Sequence, residues 1–173
     1  MSDSSPAAAG SENRPRKRRW PIAVALGLVI LLGVLVLGNW FAGKPGGLGA
    51  ENGRLAACPD SPNCVSSQED RAPYRIEPFR FEGDGQAALA RLAELLEGWP
   101  RTRIVRQTDN YLHAEVTTPV LRFVDDLEFL LAEDEKVVHV RSASRIGHTD
   151  MGTNRKRIEE LRSQFESPGG NRE

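Results

Sequence analysis

The polar residues best spaced for chemistry gather in residues 141–158, Arg-Ser-Ala-Ser-Arg-Ile-Gly-His-Thr-Asp-Met-Gly-Thr-Asn-Arg-Lys-Arg-Ile. Apolar periodic segments flank this stretch, so it reads as a strand end, a polar loop with two glycines and the start of a helix. Asp125, Asp126 and His148 are candidates for acid–base work, and Ser142 or Ser144 for a nucleophile. No Gly-x-Ser-x-Gly elbow and no His-Glu-x-x-His fixes such roles. Asp150-x-Gly-x-Asn154 has part of a calcium loop but lacks the other ligands and the terminal Glu. His113 and His139 fall in strands and read as packing or surface residues rather than ligands. No metal and no cofactor is expected. A hydrolase built on Asp125, Asp126 and His148 therefore stands second to a binding or assembly module.

Charge placement supports that order. Leu121, Phe123, Asp125, Leu127, Phe129 and Leu131 share one face of a strand, and this apolar face is the one to bury. A buried, ionised Asp125 needs a partner, because unpaired burial costs several kcal/mol. Arg141 and Arg145, on or just past the neighbouring strand, are the nearest guanidinium candidates, giving an expected buried network of Asp125, Arg141 and Arg145. Arg155, Lys156 and Arg157 sit in the first turn of the last helix, where the macrodipole is already positive. Surplus cations there suit a bound anion, so these three form a candidate anion site.

The elements that must position these groups are short. Residues 75–81 read as an edge strand interrupted by Pro78. Asp84 caps a helix running through Trp99, with Leu89, Leu92, Leu95, Leu96 and Trp99 as its core stripe and Pro100 as its stop. Residues 102–107 and 111–118 form a hairpin turning at Asp109-Asn110. Residues 120–132 and 136–143 form a second, turning at residues 133–135. A last helix covers residues 154–165, with Ile158, Leu161 and Phe165 on one side. The expected fold is α+β: a mostly antiparallel sheet of four to five strands with two helices on one face, preceded by a single transmembrane helix.

The two cysteines, Cys58 and Cys64, lie in a turn-rich segment, and a structural disulfide is favoured over metal or redox chemistry. Two thiols without a second ligand pair make no zinc site. Cys58-Pro59 with Pro62-Asn63-Cys64-Val65-Ser66-Ser67, then Arg122-Phe123-Val124-Asp125-Asp126, then Arg141-Ser142-Ala143-Ser144-Arg145 with Gly147, Asp150, Gly152 and Asn154-Arg155-Lys156-Arg157-Ile158, make three ordered blocks. They resemble the domain of unknown function 1499 (DUF1499) over roughly residues 56–165. The resemblance implies a small domain of bacterial envelopes and plant plastids with no established activity.

The N-terminal part lies outside that resemblance. Residues 1–19 read as a disordered tail that ends in a basic cluster, Arg14, Arg16, Lys17, Arg18 and Arg19. Residues 20–42 carry no charge, would reach roughly 36 Å as a helix and would span a bilayer core of about 30 Å. The basic cluster ahead of them predicts a cytoplasmic N-terminus and an extracytoplasmic domain on the inner membrane. Large side chains at the −3 position argue for an uncleaved anchor, and Leu55-Ala56-Ala57-Cys58 lies too far from the apolar run to be a lipoprotein box. Residues 43–56 read as a flexible glycine-rich linker, 57–166 as the folded domain and 167–173 as a loose tail. With the basic cluster set aside, the chain's formal charge of −1 leaves a mildly acidic remainder, which excludes a nucleic-acid footprint. The expected partners are the membrane through one helix, and an anionic envelope ligand or a protein.

Overall fold

The computed structural model describes residues 20–41 and 47–167. The tail at residues 1–19, the start of the linker and the segment beyond residue 167 lie outside the described residues.

Residues Trp20–Phe41 form helix α1. The expected membrane span is corrected: among the described residues no helix is long and apolar enough to cross a membrane.

The other unit is built on β3 (Cys64–Ser66), β4 (Phe79–Arg80), β5 (Thr102–Gln107), β6 (Tyr111–Thr117), β7 (Val124–Ala132) and β8 (Val137–Ser144). They form a six-stranded sheet, not the expected four to five strands, in the order β3-β8-β7-β6-β5, with β4 also on β8. Every pairing between these strands is antiparallel. The extra strand comes from the cysteine segment, where Cys64 pairs with Ala143 and Ser66 with Arg141. Below it, β4 continues the same edge by pairing Phe79 with Val138. Of the strand expected at residues 75–81, only Phe79 and Arg80 join the ladder as β4, because Pro78 has no amide hydrogen to donate.

Helices α2 (Gly85–Glu97) and α3 (Thr153–Glu166) pack on one face of the sheet. Asp84 caps α2 as its sequence predicts, its carboxylate accepting from Gln86 N at 2.8 Å. Leu89, Leu92 and Leu96 from α2 and Ile158, Leu161 and Phe165 from α3 bury against Leu112, Ala114, Leu127, Phe129, Val138 and Val140. Each of those strand residues is two from the next on its own strand, which is why one face is continuously apolar.

The opposite face is covered as well. Residues 50–55, read from sequence as linker, form a small hairpin, β1 (Ala50–Glu51) and β2 (Arg54–Leu55). Leu55 buries against Tyr111 and Leu130. The Cys58–Cys64 disulfide forms as expected, with Cα atoms 5.7 Å apart, and buries against Ala143. The domain thus has three layers: two helices, the sheet, and an N-terminal strap held by a crosslink.

Candidate functional site

On the helical face, Asp125 interrupts the apolar stripe and is buried, as alternation predicts. Its partner is Arg157 of α3, which donates to Asp125 Oδ2 at 2.7 Å, and neither Arg141 nor Arg145 reaches it. Parity explains this correction. Across the β7–β8 ladder Asp125 faces Ser144 and Glu128 faces Arg141, so Arg141 points to the other side of the sheet.

Beside this pair Asn154, fully buried, joins helix, strand and cysteine segment. Its Oδ1 accepts from Ser142 Oγ at 2.5 Å and from Arg157 Nη1 at 3.0 Å. Its Nδ2 donates to Asn63 O at 3.0 Å and to Ser144 Oγ at 3.1 Å. Asp150 accepts from the amides of Gly152 and Asn154, placing a carboxylate on the positive end of α3. Ser142 and Ser144 are therefore scaffold groups, and Asp150 is a helix cap, not part of a calcium loop.

The strap-facing side carries a buried ionic layer. Arg145 grips Asp126 through Nε and Nη2 at 2.8 and 2.7 Å and reaches Glu115 Oε1 at 2.5 Å. Arg103 meets the other Glu115 oxygen, and His113 Nε2 donates to Asp126 Oδ1 at 2.8 Å. Glu128, wholly buried, accepts from Arg141 Nη1 at 2.8 Å, Tyr111 Oη at 2.7 Å and Gly49 N at 2.7 Å. Arg141 Nε is the one buried side-chain polar atom without a hydrogen-bond partner among the described residues.

These contacts fix the ionisation. Burial alone pushes the Asp126 and Glu115 carboxyls up, but the guanidinium of Arg145, with His113 on Asp126 and Arg103 on Glu115, outweighs it and holds both below the usual carboxylate range. Burial, together with Glu128, pushes the Tyr111 phenol up. Arg145 is held more firmly charged by Asp126 and Glu115. His113, Glu115 and Asp126 bring possible metal-ligand atoms within 4.8 Å of one another, and the cation bonded to both carboxylates is Arg145.

The candidates of the sequence therefore separate. Arg155 donates to the carbonyls of Pro73 and Arg75, and Arg157 is taken by Asp125, so two of the three first-turn cations serve the fold. Lys156 is exposed. His148 is exposed in the loop after β8 and bonds neither aspartate among the described residues. Glu128, Glu115, His113 and Tyr111 were missed. Their signal was a charged or polar residue at every second position on two neighbouring strands, which reads as a solvated face until something covers it.

A cleft of about 860 Å³ opens at the edge of the strap, between the β1–β2 hairpin, residues 68–70 and the β5–β6 turn. Arg54, Arg106, Glu51, Asp70, Asn110 and Tyr111 line it. Arg106 stacks over the Tyr111 ring at 5.7 Å from its centre. Glu69, on the same wall, is neutralised by Arg71 at 2.7 Å, which lowers its carboxyl to about 2.

A family model described as protein of unknown function (DUF1499) matches residues 54–165. No curated protein matches the chain.

Proposed function

The chain belongs to the family of proteins of unknown function DUF1499, and on that premise we propose that its domain is a ligand-binding module of an oxidising compartment outside the cytoplasm. The disulfide supports the compartment, since such crosslinks persist where thiols are not kept reduced. The cleft supports binding: its size is within the range of small-molecule sites. Arg155 and Arg157 are engaged by the fold and Lys156 stands alone on the surface among the described residues, so the cleft cations, Arg54 and Arg106, take over the role expected of those three. Lining charges of both signs beside an aromatic ring suit a hydroxyl-rich ligand with one acidic group, such as an envelope sugar acid or sugar phosphate. The Asp125, Asp126 and His148 hydrolase loses support, because both carboxylates are buried and locked by arginines.

The observation that carries this reading is the open cleft beside a fully neutralised ionic layer. A thermal-shift screen of the oxidised chain against sugar acids and sugar phosphates tests it. A ligand at a hundred times its Kd stabilises by about 2.7 kcal/mol, and Arg106→Ala is expected to abolish the shift. Shifts untouched by that substitution, or none across the panel, count against the cleft.

A further inference from the structure

A second pocket, of about 250 Å³, lies next to the cleft and is walled by Ser67, Glu135, His139, Arg75 and Arg54 among others. Ser67, Glu135 and His139 come from three places in the chain: the turn after β3, the β7–β8 turn and β8 itself. Ser67 Oγ accepts from Val140 N at 2.9 Å, and it lies 3.2 Å from His139 Nδ1. With the amide already using one oxygen lone pair, the hydroxyl hydrogen is free to be donated to the imidazole. In the tautomer with Nδ1 as the acceptor, the hydrogen sits on Nε2, whose nearest carboxylate oxygen, Glu135 Oε2, is 3.6 Å away, a charge contact longer than a hydrogen bond. A serine hydroxyl thus touches one ring nitrogen of a histidine whose other ring nitrogen has a carboxylate nearby, the set of groups a nucleophilic serine needs.

We propose that Ser67 is a nucleophile, with His139 as its base and Glu135 as the positioning residue, acting on small acyl esters. This goes beyond the binding reading and does not depend on it. Ser67 Oγ bonds to the acyl carbon as its proton passes to His139 Nδ1. The bond to the leaving alcohol breaks as that proton is returned to the alkoxide. Water then attacks the acyl-serine, giving its proton to the same nitrogen, and Ser67 is regenerated as the acid departs. Arg75 makes no side-chain hydrogen bond or ion pair among the described residues and is the cation on hand for the developing oxyanion. Burial keeps His139 neutral, assisted by the charge of Arg54 and opposed by Glu135, so the base is unprotonated near neutrality. Glu69 and Asp70 also line the pocket, Glu69 being held by Arg71.

Treating the oxidised full chain with a small fluorophosphonate and mapping the adduct by peptide mass tests this directly. Attack by Ser67 expels fluoride and leaves a mass increment on that residue. His139→Gln is expected to slow labelling about a hundredfold or more. Glu135→Gln is expected to keep labelling at high pH while its acid limb moves to lower pH, an effect that a purely structural role would not produce. No adduct, or an adduct on another residue, overturns the proposal, as does a His139→Gln rate equal to wild type. Should that variant not fold, the wild-type rate decides: a rate that falls on acidification supports the base, and one flat between about pH 5 and 9 overturns it. The assay does not read the cleft, so its failure leaves the ligand-binding reading standing.

Discussion

Glu128 has no contact with solvent and receives three hydrogen bonds, one each from Arg141, Tyr111 and the strap amide of Gly49. Deleting its carboxylate leaves Arg141 as a buried charge with no counter-ion, a change that typically costs about 3–5 kcal/mol. Glu128→Ala is expected to destabilise the domain by that amount in urea unfolding. Adding Arg141→Met should recover part of the loss, because the uncompensated charge goes with it. A double variant as unstable as the sum of the singles would contradict the pairing. At the same scale, Asp125 shows what could be read ahead of the fold. Alternation put it on the buried face, but its partner Arg157 lies 32 residues away on a helix, and no local pattern names it.

At the scale of elements, the strap decides most. It covers the sheet face that carries Asp126, Glu128 and Leu130, and its end is tied down at Cys58–Cys64. Arg71 donates to Cys58 O at 2.6 Å and Glu69 accepts from Cys58 N at 3.3 Å, so the crosslinked loop is also held by hydrogen bonds. Closing a loop this small is worth about 2–3 kcal/mol in the chain-entropy model, and Pro59 and Pro62 already restrict the unfolded loop. Paired Cys58→Ser and Cys64→Ser substitutions are therefore expected to cost about 2 kcal/mol. Equal urea midpoints for the oxidised protein and this variant would refute the estimate. Helices α2 and α3 were the most legible elements, since stripes at helical spacing, with a capping Asp84, state both their existence and their buried side. Strand β3 was hidden by its turn-forming neighbours, and its pairing comes from β8, far along the chain.

Over the whole molecule the ionised groups set the response to pH. Glu115, Asp126 and Glu69 are all depressed in the fold, and so is His139. Each depressed group binds protons more readily in the unfolded chain, so acid favours unfolding. His139 acts first: its stabilisation is complete above its ordinary value of 6.5 and is lost as pH falls through its lower folded value. The carboxylates follow, starting below their ordinary 3.8 to 4.5, and Glu69 takes up its proton only near 2. Calorimetry from about pH 8 down to 3 is expected to give a melting temperature that falls in two stages. A rise on acidification would mean that these carboxylates are not paired as described.

The sequence by itself determined the two packed helices, the two hairpins, the crosslink, the family and the buried face of Asp125. All of these follow from period, capping residues or residue type within a short window. Only the tertiary structure decided that the sheet is buried on both faces, that Arg141 and Arg145 serve Glu128 and Asp126, and that Ser67 meets His139 across 72 residues. The reason is parity. A strand's sequence says which residues share a face, but the register with its neighbour and the segment laid over it fix what each face meets.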